Sequence, residues 1–161
     1  MKQKTTVYLG LGTNTGNRKE NLTRAIEELS LALGNCVAQS SFMETVPWGY
    51  SSDNNYLNCA VAFATEKSPI ELLDTTEAIE RKLGRTTKTT GGIYHDRVID
   101  IDILLYGNAT VGGERLTIPH PLMHKRDFVL VPLCEIAGQT IHPTTGRSIA
   151  ELLDMLQQSE Q

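Results

Sequence analysis

The stretch of residues 97–107, RVIDIDILLYG, is the most constraining feature of this sequence. Polar and apolar residues alternate through its first half, which predicts a β-strand with two different faces. Successive side chains of a strand point in opposite directions, so Asp100 and Asp102 share one face while the isoleucines beside them share the other. The sequence therefore predicts a strand that buries its isoleucines and presents two carboxylates together.

This pair of carboxylates indicates a cation site. Two carboxylates so close repel each other unless a cation sits between them. Their oxygen atoms suit Mg²⁺, and two Mg²⁺ ions roughly 3.5–4 Å apart can be bridged by such a pair while also holding phosphate oxygens. The alternative is a half-exposed strand with aspartate on its wet face, but aspartate is disfavoured in strands. Asp100 and Asp102 are therefore predicted as metal ligands.

The rest of the pattern predicts a mixture of strands and helices. Strands are expected at 6–11, 37–45 and 56–65. Helices are expected from the capping box at Asn17 and Glu20 to about 33, at about 68–83 and 128–137, and from 148 onward. Ser68 with Glu71, like Ser148 with Glu151, has the spacing of a helix capping box. Hairpin-like neighbours combined with crossovers predict an α+β sandwich, with helices over one mainly antiparallel sheet. Since no repeat or change of composition divides the chain, residues 1–161 are predicted to form a single domain.

Charge and cysteine usage narrow the class of protein. The formal net charge of −4 argues against a nucleic-acid binder, which would normally carry a basic face. From Arg85 to Arg126, however, six Lys or Arg stand against four acidic residues, a balance that suits a small anionic ligand. No stretch approaches the roughly 18 apolar residues of a membrane span. The three cysteines form no CxxC pair, which fits a reducing cytoplasm.

Cationic side chains stand around the aspartate pair, in segments that look like loops or element ends. They are Arg85, Lys88, Arg97, His120 and Arg126. Each alone is more often a solvated surface charge, but together they can neutralise a triphosphate, and arginine offers a planar fork for phosphate oxygens. The Gly- and Thr-rich stretch 84–96 predicts a long loop, for which an active-site lid is one usual explanation. Carboxylates and cations combined in this way are typical of phosphoryl transfer.

Two further motifs resemble known binding sites but do not predict one here. GLGTNTG at 10–16 follows a strand and precedes a helix, but it lacks the spacing of the dinucleotide-binding fingerprint and the acidic residue expected about 20 positions later, so it is interpreted as a strand-to-helix turn. His120 and His124 are four residues apart, like the zinc ligands of metalloproteases. No Glu follows His120, and Pro121 intervenes, so a zinc protease is not expected.

At these residues the chain resembles the 6-hydroxymethyl-7,8-dihydropterin pyrophosphokinase family. The resemblance rests on LGLGTN in the first strand, YLNCAV at 56–61, IERKLGR at 79–85, DRVIDIDILLYG at 96–107 and LTIPHPLMHKRDFVLVPLCEIA at 116–137. It covers nearly the whole chain. It implies a ferredoxin-like α+β fold, two Mg²⁺ ions, ATP as co-substrate and a monomer.

The resemblance also implies roles for individual residues. Asp100 and Asp102 resemble the metal ligands and belong to the catalytic set with Arg85, Arg97, His120 and Arg126. The implied ATP site comprises Glu77, Glu80, Arg85, Lys88, Arg97, Ile103, Leu116, Thr117, His120 and Arg126. The implied pterin site comprises Thr45, Val46, Trp48, Tyr56, Asn58, Tyr94 and Phe128. Aromatic faces and a buried amide suit a flat heterocycle with donors and acceptors along its edge.

The function implied is transfer of pyrophosphate from ATP to the hydroxymethyl group of 6-hydroxymethyl-7,8-dihydropterin, with release of AMP. Two alternatives belong to other classes. One is a catalytically silent, ferredoxin-like pterin-binding module, against which the intact aspartates and cations weigh. The other is a two-metal phosphodiesterase, which would need more His or Asp ligands than the four histidines here provide. The partners expected are thus ATP and the pterin, with neither nucleic acid nor membrane.

Overall fold

The computed structural model describes residues 3–45, 55–84 and 98–159. Its strands are β1 (Thr5–Thr13), β2 (Cys36–Gln39), β3 (Met43–Thr45), β4 (Tyr56–Thr65), β5 (Asp100–Tyr106), β6 (Val111–Gly112) and β7 (Thr117–Ile118). Its helices are α1 (Arg18–Leu33), α2 (Pro69–Gly84), α3 (Asp127–Ala137) and α4 (Ile149–Ser159), with a short 3₁₀ helix at Met123–Lys125. None of the helices in these ranges is long and apolar enough to cross a membrane.

The main sheet has the strand order β2–β4–β1–β5, and every pairing in it is antiparallel. β3 also pairs with β4, nearer the start of that strand than β2 does. Helix α1 connects two strands that have β4 between them, and α2 connects two strands that have β1 between them. This split β-α-β arrangement, repeated twice, is the ferredoxin-like topology. The α+β prediction and the antiparallel sheet are confirmed.

Helix starts follow the capping chemistry of the sequence. The side chain of Asn17 accepts a hydrogen bond from the backbone N–H three residues on, at the start of α1. Ser68 Oγ accepts from Glu71 N, and the Glu71 carboxylate accepts in return from Ser68 N. Ser148 and Glu151 make the same reciprocal pair before α4. These bonds occupy backbone donors that a helix start cannot satisfy internally.

The single strand predicted for 37–45 is wrong, because the chain leaves the ladder at residues 40–42. Ser40 causes the break. Its N–H donates to Ala60 O, while its Oγ accepts from Ala60 N. Next to it, Ser41 N and Ser41 Oγ both donate to the Glu135 carboxylate of α3, at 2.9 and 3.0 Å. Side chains thus replace part of the backbone ladder here, and β2 and β3 become separate strands.

Helices cover both faces of the sheet. On one face, α1 and α2 pack against alternate residues of β1, β4 and β5, including Leu9, Phe63 and Ile101. On the other face, α3 and α4 pack against Leu104 and Ala60. The opposite faces follow from the two-residue period of the strands. Between the carboxyl end of β3 and the start of β5, this second face carries the pocket described below.

His142 lies buried at 4% exposure in the turn that precedes α4. Its Nδ1 accepts from the backbone N–H groups of Thr144 and Thr145, at 3.3 and 3.2 Å. The ring of His124, in the 3₁₀ helix, stands edge-on with its centroid 6.5 Å away. Burial, with a smaller contribution from His124, lowers the pKa of His142 below its ordinary value.

This lowered pKa predicts loss of stability on mild acidification. As the pH falls through about 6.5, the unfolded chain binds a proton at this histidine before the folded chain does, so the free energy of unfolding decreases toward the folded pKa. In His142→Asn the side-chain oxygen can still accept from the turn but does not titrate. Urea unfolding at pH 7.5 and 5.5 should show a larger loss for the wild type than for this variant. Equal losses would contradict the assignment.

Candidate active site

The pairing register of the strands brings the residues of the site next to one another. In the β1–β5 ladder, Gly12 stands opposite Asp100 and Gly10 opposite Asp102. In the β1–β4 ladder, Gly12 stands opposite Asn58. A glycine therefore lies between the carboxylate of one neighbouring strand and the amide of the other, all on the same face. Since this position carries no side chain, the space between carboxylate and amide stays open.

A cavity of about 270 Å³ lies over this part of the sheet. The residues lining it that the sequence had suggested are Thr45, Tyr56, Asn58, Asp100, Asp102, Arg126 and Phe128. They come from β3, β4, β5 and the start of α3, so residues far apart in the chain surround one space. The metal-ligand candidates and the described members of the pterin set thus share one cavity, with Arg126 of the phosphate set.

The amide of Asn58 has a fixed orientation. Asn58 is 6% exposed, and its Nδ2 donates to Thr45 Oγ1 at 2.7 Å. Its Oδ1 turns toward β1, since a Cβ atom built on Gly12 would lie only 2.9 Å from that oxygen. The same Cβ would lie 3.7 Å from Cδ1 of the Tyr56 ring. Gly12 is therefore required by the close approach of the amide and the ring.

The beginning of α3 supplies the opposite wall. Arg126 immediately precedes the helix, and its guanidinium carbon lies 5.6 Å from the centroid of the Phe128 ring. This distance is within the range of cation–π attraction. Phe128 and Val129 line the cavity from the first turn of the helix. The cationic group and the apolar wall are thus held by one short segment.

His120 is poised as a hydrogen-bond donor. Its Nδ1 accepts from Leu122 N at 3.2 Å, so in the neutral ring the proton resides on Nε2. Burial lowers the pKa of His120. The nearby Asp102 carboxylate acts to raise this pKa, and the Arg126 guanidinium acts to lower it further. His120 therefore lies within electrostatic reach of both a metal-ligand candidate and a phosphate-site candidate.

Five other residues implied for ATP are described by the structure, and they are not among the residues that line this cavity. Glu77 forms an ion pair with Arg115 at 2.9 Å, and Glu80 Oε2 accepts from Ile101 N at 2.9 Å. Ile103 and Leu116 are buried in the core on the α1/α2 face, and Thr117 is exposed in β7. The remaining candidates, together with the lid prediction for 85–96, lie outside the described residues: Arg85, Lys88, Arg97, Val46, Trp48 and Tyr94.

Several residues at the site were missed by the sequence reasoning. Gly10, Gly12 and Cys59 line the cavity, although the glycines had been interpreted only as part of a turn. Their two-residue spacing, like that of the aspartates, was the available signal. Burial, with a smaller contribution from Cys36, raises the pKa of the Cys59 thiol to about 12, so it lines the cavity as a small uncharged group.

Arg18 was also missed, and it holds the outer end of the site together. Its Nη1 donates to Glu44 Oε1 and to Asn55 O, both at 2.9 Å. Glu44 is the residue before Thr45 within β3. Asn55 is the residue immediately before Tyr56, where β4 begins. One guanidinium at the start of α1 therefore links the two strand ends that carry Thr45 and Tyr56.

Comparison with known proteins gives a consistent result. Residues 8–138 match the family model described as 7,8-dihydro-6-hydroxymethylpterin-pyrophosphokinase. A 2-amino-4-hydroxy-6-hydroxymethyldihydropteridine pyrophosphokinase of Porphyromonas gingivalis is 48% identical over 138 residues, covering 85% of this chain and 93% of the relative. The enzyme of the same name from Methylorubrum extorquens is 42% identical over 156 residues, covering 96% of each chain.

A solved structure of HPPK-DHPS in complex with substrates superposes with a TM-score of 0.76 at 16% identity. The superposition covers 98% of this chain but only 44% of that longer chain, so it supports the fold alone. It confirms the ferredoxin-like fold, while the family model and the relatives confirm the resemblance to the pyrophosphokinase family. The chain belongs to the 7,8-dihydro-6-hydroxymethylpterin-pyrophosphokinase family.

Proposed function

We propose that this chain transfers the pyrophosphoryl group of ATP to the hydroxymethyl group of 6-hydroxymethyl-7,8-dihydropterin, releasing AMP, in folate biosynthesis. The observation that carries this is one cavity with two carboxylates on its β5 side and an oriented amide with aromatic rings on its β4 and α3 sides. One side suits the phosphates with their cations, and the other suits a flat heterocycle. Their proximity matches a reaction that joins the two substrates.

The pterin binds on the side of Tyr56, Asn58 and Phe128. A flat ring system gains contact area from aromatic faces, and both aromatic residues line the cavity. Because Asn58 Nδ2 is engaged by Thr45, Oδ1 is the atom oriented to accept from the N–H groups along the pterin edge. These three residues hold the substrate so that its hydroxymethyl group extends toward the aspartates.

The aspartate pair fits Mg²⁺. Within the described ranges no group of three His, Cys, Asp or Glu side chains could hold a metal. Mg²⁺ is commonly held by one or two carboxylates while substrate phosphates and water complete its octahedron, and Asp100 and Asp102 provide that number. Two ions are proposed, as the resemblance implies. When bound, Mg²⁺ supplies charge neutralisation on the phosphates and activation of the attacking hydroxyl.

The chain's own residues position the reacting groups. The hydroxymethyl oxygen attacks the β-phosphorus, and an O–P bond forms. The bond from that phosphorus to the bridging oxygen of AMP breaks, and the hydroxyl proton passes to water. His120 donates through Nε2–H, and Arg126 donates through its guanidinium, to phosphate oxygens whose charge increases in the transition state. Arg85, Lys88 and Arg97 are proposed for the same role.

A monomer is proposed from the family resemblance. A reducing cytoplasm is supported by three cysteines that are all free thiols in the structure.

Stoichiometric AMP formation tests the function against the silent binding module. Purified protein with ATP and Mg²⁺ should release AMP only when 6-hydroxymethyl-7,8-dihydropterin is added, one AMP for each pterin consumed. A binding module would give pterin affinity in calorimetry without any AMP. Hydrolysis of ATP that is indifferent to the pterin would also refute the proposal.

Replacement of either metal-ligand candidate should abolish turnover with the fold intact. Asp100→Asn and Asp102→Asn keep the side-chain shape but remove the charge that binds Mg²⁺, so we expect the turnover number to fall about a hundredfold or more. Circular dichroism should be unchanged, because both residues are only half-buried in the sheet. Near wild-type turnover in either variant would contradict the metal assignment.

A methyl group at Gly12 should weaken pterin binding selectively. In Gly12→Ala the Cβ would meet Asn58 Oδ1 at 2.9 Å and displace the amide, so we expect the pterin dissociation constant to rise about tenfold. Gly10→Ala is the matched comparison, since its nearest contact is 3.4 Å from the flexible side chain of Leu104. Calorimetry should show the larger loss for Gly12→Ala, with little change for an ATP analogue. Equal losses in the two variants would refute the role of Gly12.

A further inference from the structure

Glu80 makes a contact that concerns the metal-ligand candidates more than the nucleotide. From the fourth turn of α2, its Oε2 accepts a hydrogen bond from Ile101 N at 2.9 Å. Ile101 is the residue between Asp100 and Asp102. Among the strands that the structure describes, β5 lies at the edge of the main sheet and pairs with β1 on its inner side. The Ile101 amide therefore points toward the open edge and meets a side chain there.

The ladder explains why this amide matters. In an antiparallel pair, successive residues alternate between those bonded to the partner strand and those that point away. The backbone N–H of Ile101 points outward to Glu80. The backbone groups of Asp100 and Asp102, on either side of it, therefore point inward to β1. The pair is thus held from within by β1 and from outside by Glu80.

A second side chain holds the chain just before this point. Thr13 Oγ1 donates to Val98 O, and Asn21 Nδ2 in α1 donates in turn to Thr13 Oγ1 at 3.1 Å. The carbonyl of Val98 and the amide of Ile101 are therefore both bonded to side chains from other elements. Two anchors thus fix the short stretch in which β5 begins.

Electrostatics makes such anchoring necessary. Two like charges on one face of an edge strand repel each other, and the end of an edge strand is its least constrained part. The hydrogen bond from the Ile101 amide to Glu80 fixes the direction of that peptide N–H. Through it, Glu80 opposes rotation of the peptide units that carry the aspartates, so the two ligands stay on the same face before a cation arrives.

We propose that Glu80 is a positioning residue, which fixes Asp100 and Asp102 for Mg²⁺ through the Ile101 amide. This inference rests on the proposed role of the two aspartates as metal ligands. It gives Glu80 a function different from the nucleotide contact that the family resemblance implied.

Two variants distinguish the effect of the length of the Glu80 side chain from the effect of its charge. Glu80→Gln keeps an oxygen at the same distance from Ile101 N but removes the charge. Glu80→Asp keeps the charge but is one methylene too short to reach. If Glu80 positions the aspartates, Glu80→Gln should bind Mn²⁺ normally and Glu80→Asp should bind it weakly. If the charge of Glu80 acts on the nucleotide or the cation, the opposite result is expected. Lys82→Ala, an exposed change on the same helix that removes a surface ion pair with Glu28, is the control.

The first measurement is amide hydrogen exchange of Ile101 by NMR in the protein without ligands. Exchange should be faster in Glu80→Asp than in the wild type and nearly unchanged in Glu80→Gln and Lys82→Ala. The second is Mn²⁺ affinity with α,β-methylene-ATP, followed by the electron paramagnetic resonance signal of free Mn²⁺. Its dissociation constant should rise about tenfold in Glu80→Asp and stay near the wild-type value in Glu80→Gln.

Several results would overturn the proposal. Weak Mn²⁺ binding in Glu80→Gln with unchanged Ile101 exchange would assign the effect to charge. Loss of α,β-methylene-ATP affinity in Glu80→Asp when EDTA removes all metal would assign Glu80 to the nucleotide. If Asp102→Asn leaves Mn²⁺ affinity unchanged, the metal assignment itself fails and this inference fails with it. If Asp102→Asn weakens Mn²⁺ binding and Glu80→Asp does not, only the role of Glu80 is refuted.

Discussion

The pairing of β1 with both of its neighbours is the constraint on which the site depends. It places Gly12 between Asp100 of β5 and Asn58 of β4. A slip of one residue in either ladder would turn that neighbour's side chains to the opposite face, sending an aspartate toward the core or an isoleucine toward the cavity. The burial of Ile101 and its neighbours under α1 and α2 prevents this slip. The same apolar residues that stabilise the sheet therefore also set the positions of the groups that line the cavity.

Local patterns predicted much of this structure. The bounds of β4 match the predicted 56–65, and the capping pairs at Ser68 and Ser148 mark helix starts as expected. The aspartates could be paired from sequence because strand periodicity alone puts them on one face. The family resemblance, rather than periodicity, brought Asn58 and Phe128 to the same site.

The features that sequence reasoning missed depend on contacts between distant segments. The break between β2 and β3 arises from bonds that Ser40 makes to Ala60 and Ser41 makes to Glu135, and neither partner is recognisable from local composition. Likewise, nothing in the local pattern says that Arg18 links β3 to the start of β4. A long-range hydrogen bond can be inferred only after the strand order is known, because it depends on which elements the fold makes neighbours.

The glycines under the cavity also limit how this site can change in evolution. Gly10 and Gly12 form the floor of the cavity, and only backbone atoms lie there. No other amino acid could leave more space above the sheet at these two positions. Substitution there can only raise the floor and shrink the space above the sheet. A descendant that accepted a bulkier ring system would therefore have to acquire that room from the walls, chiefly the segment around Phe128 and the ends of β3 and β4, while the sheet beneath stayed unchanged.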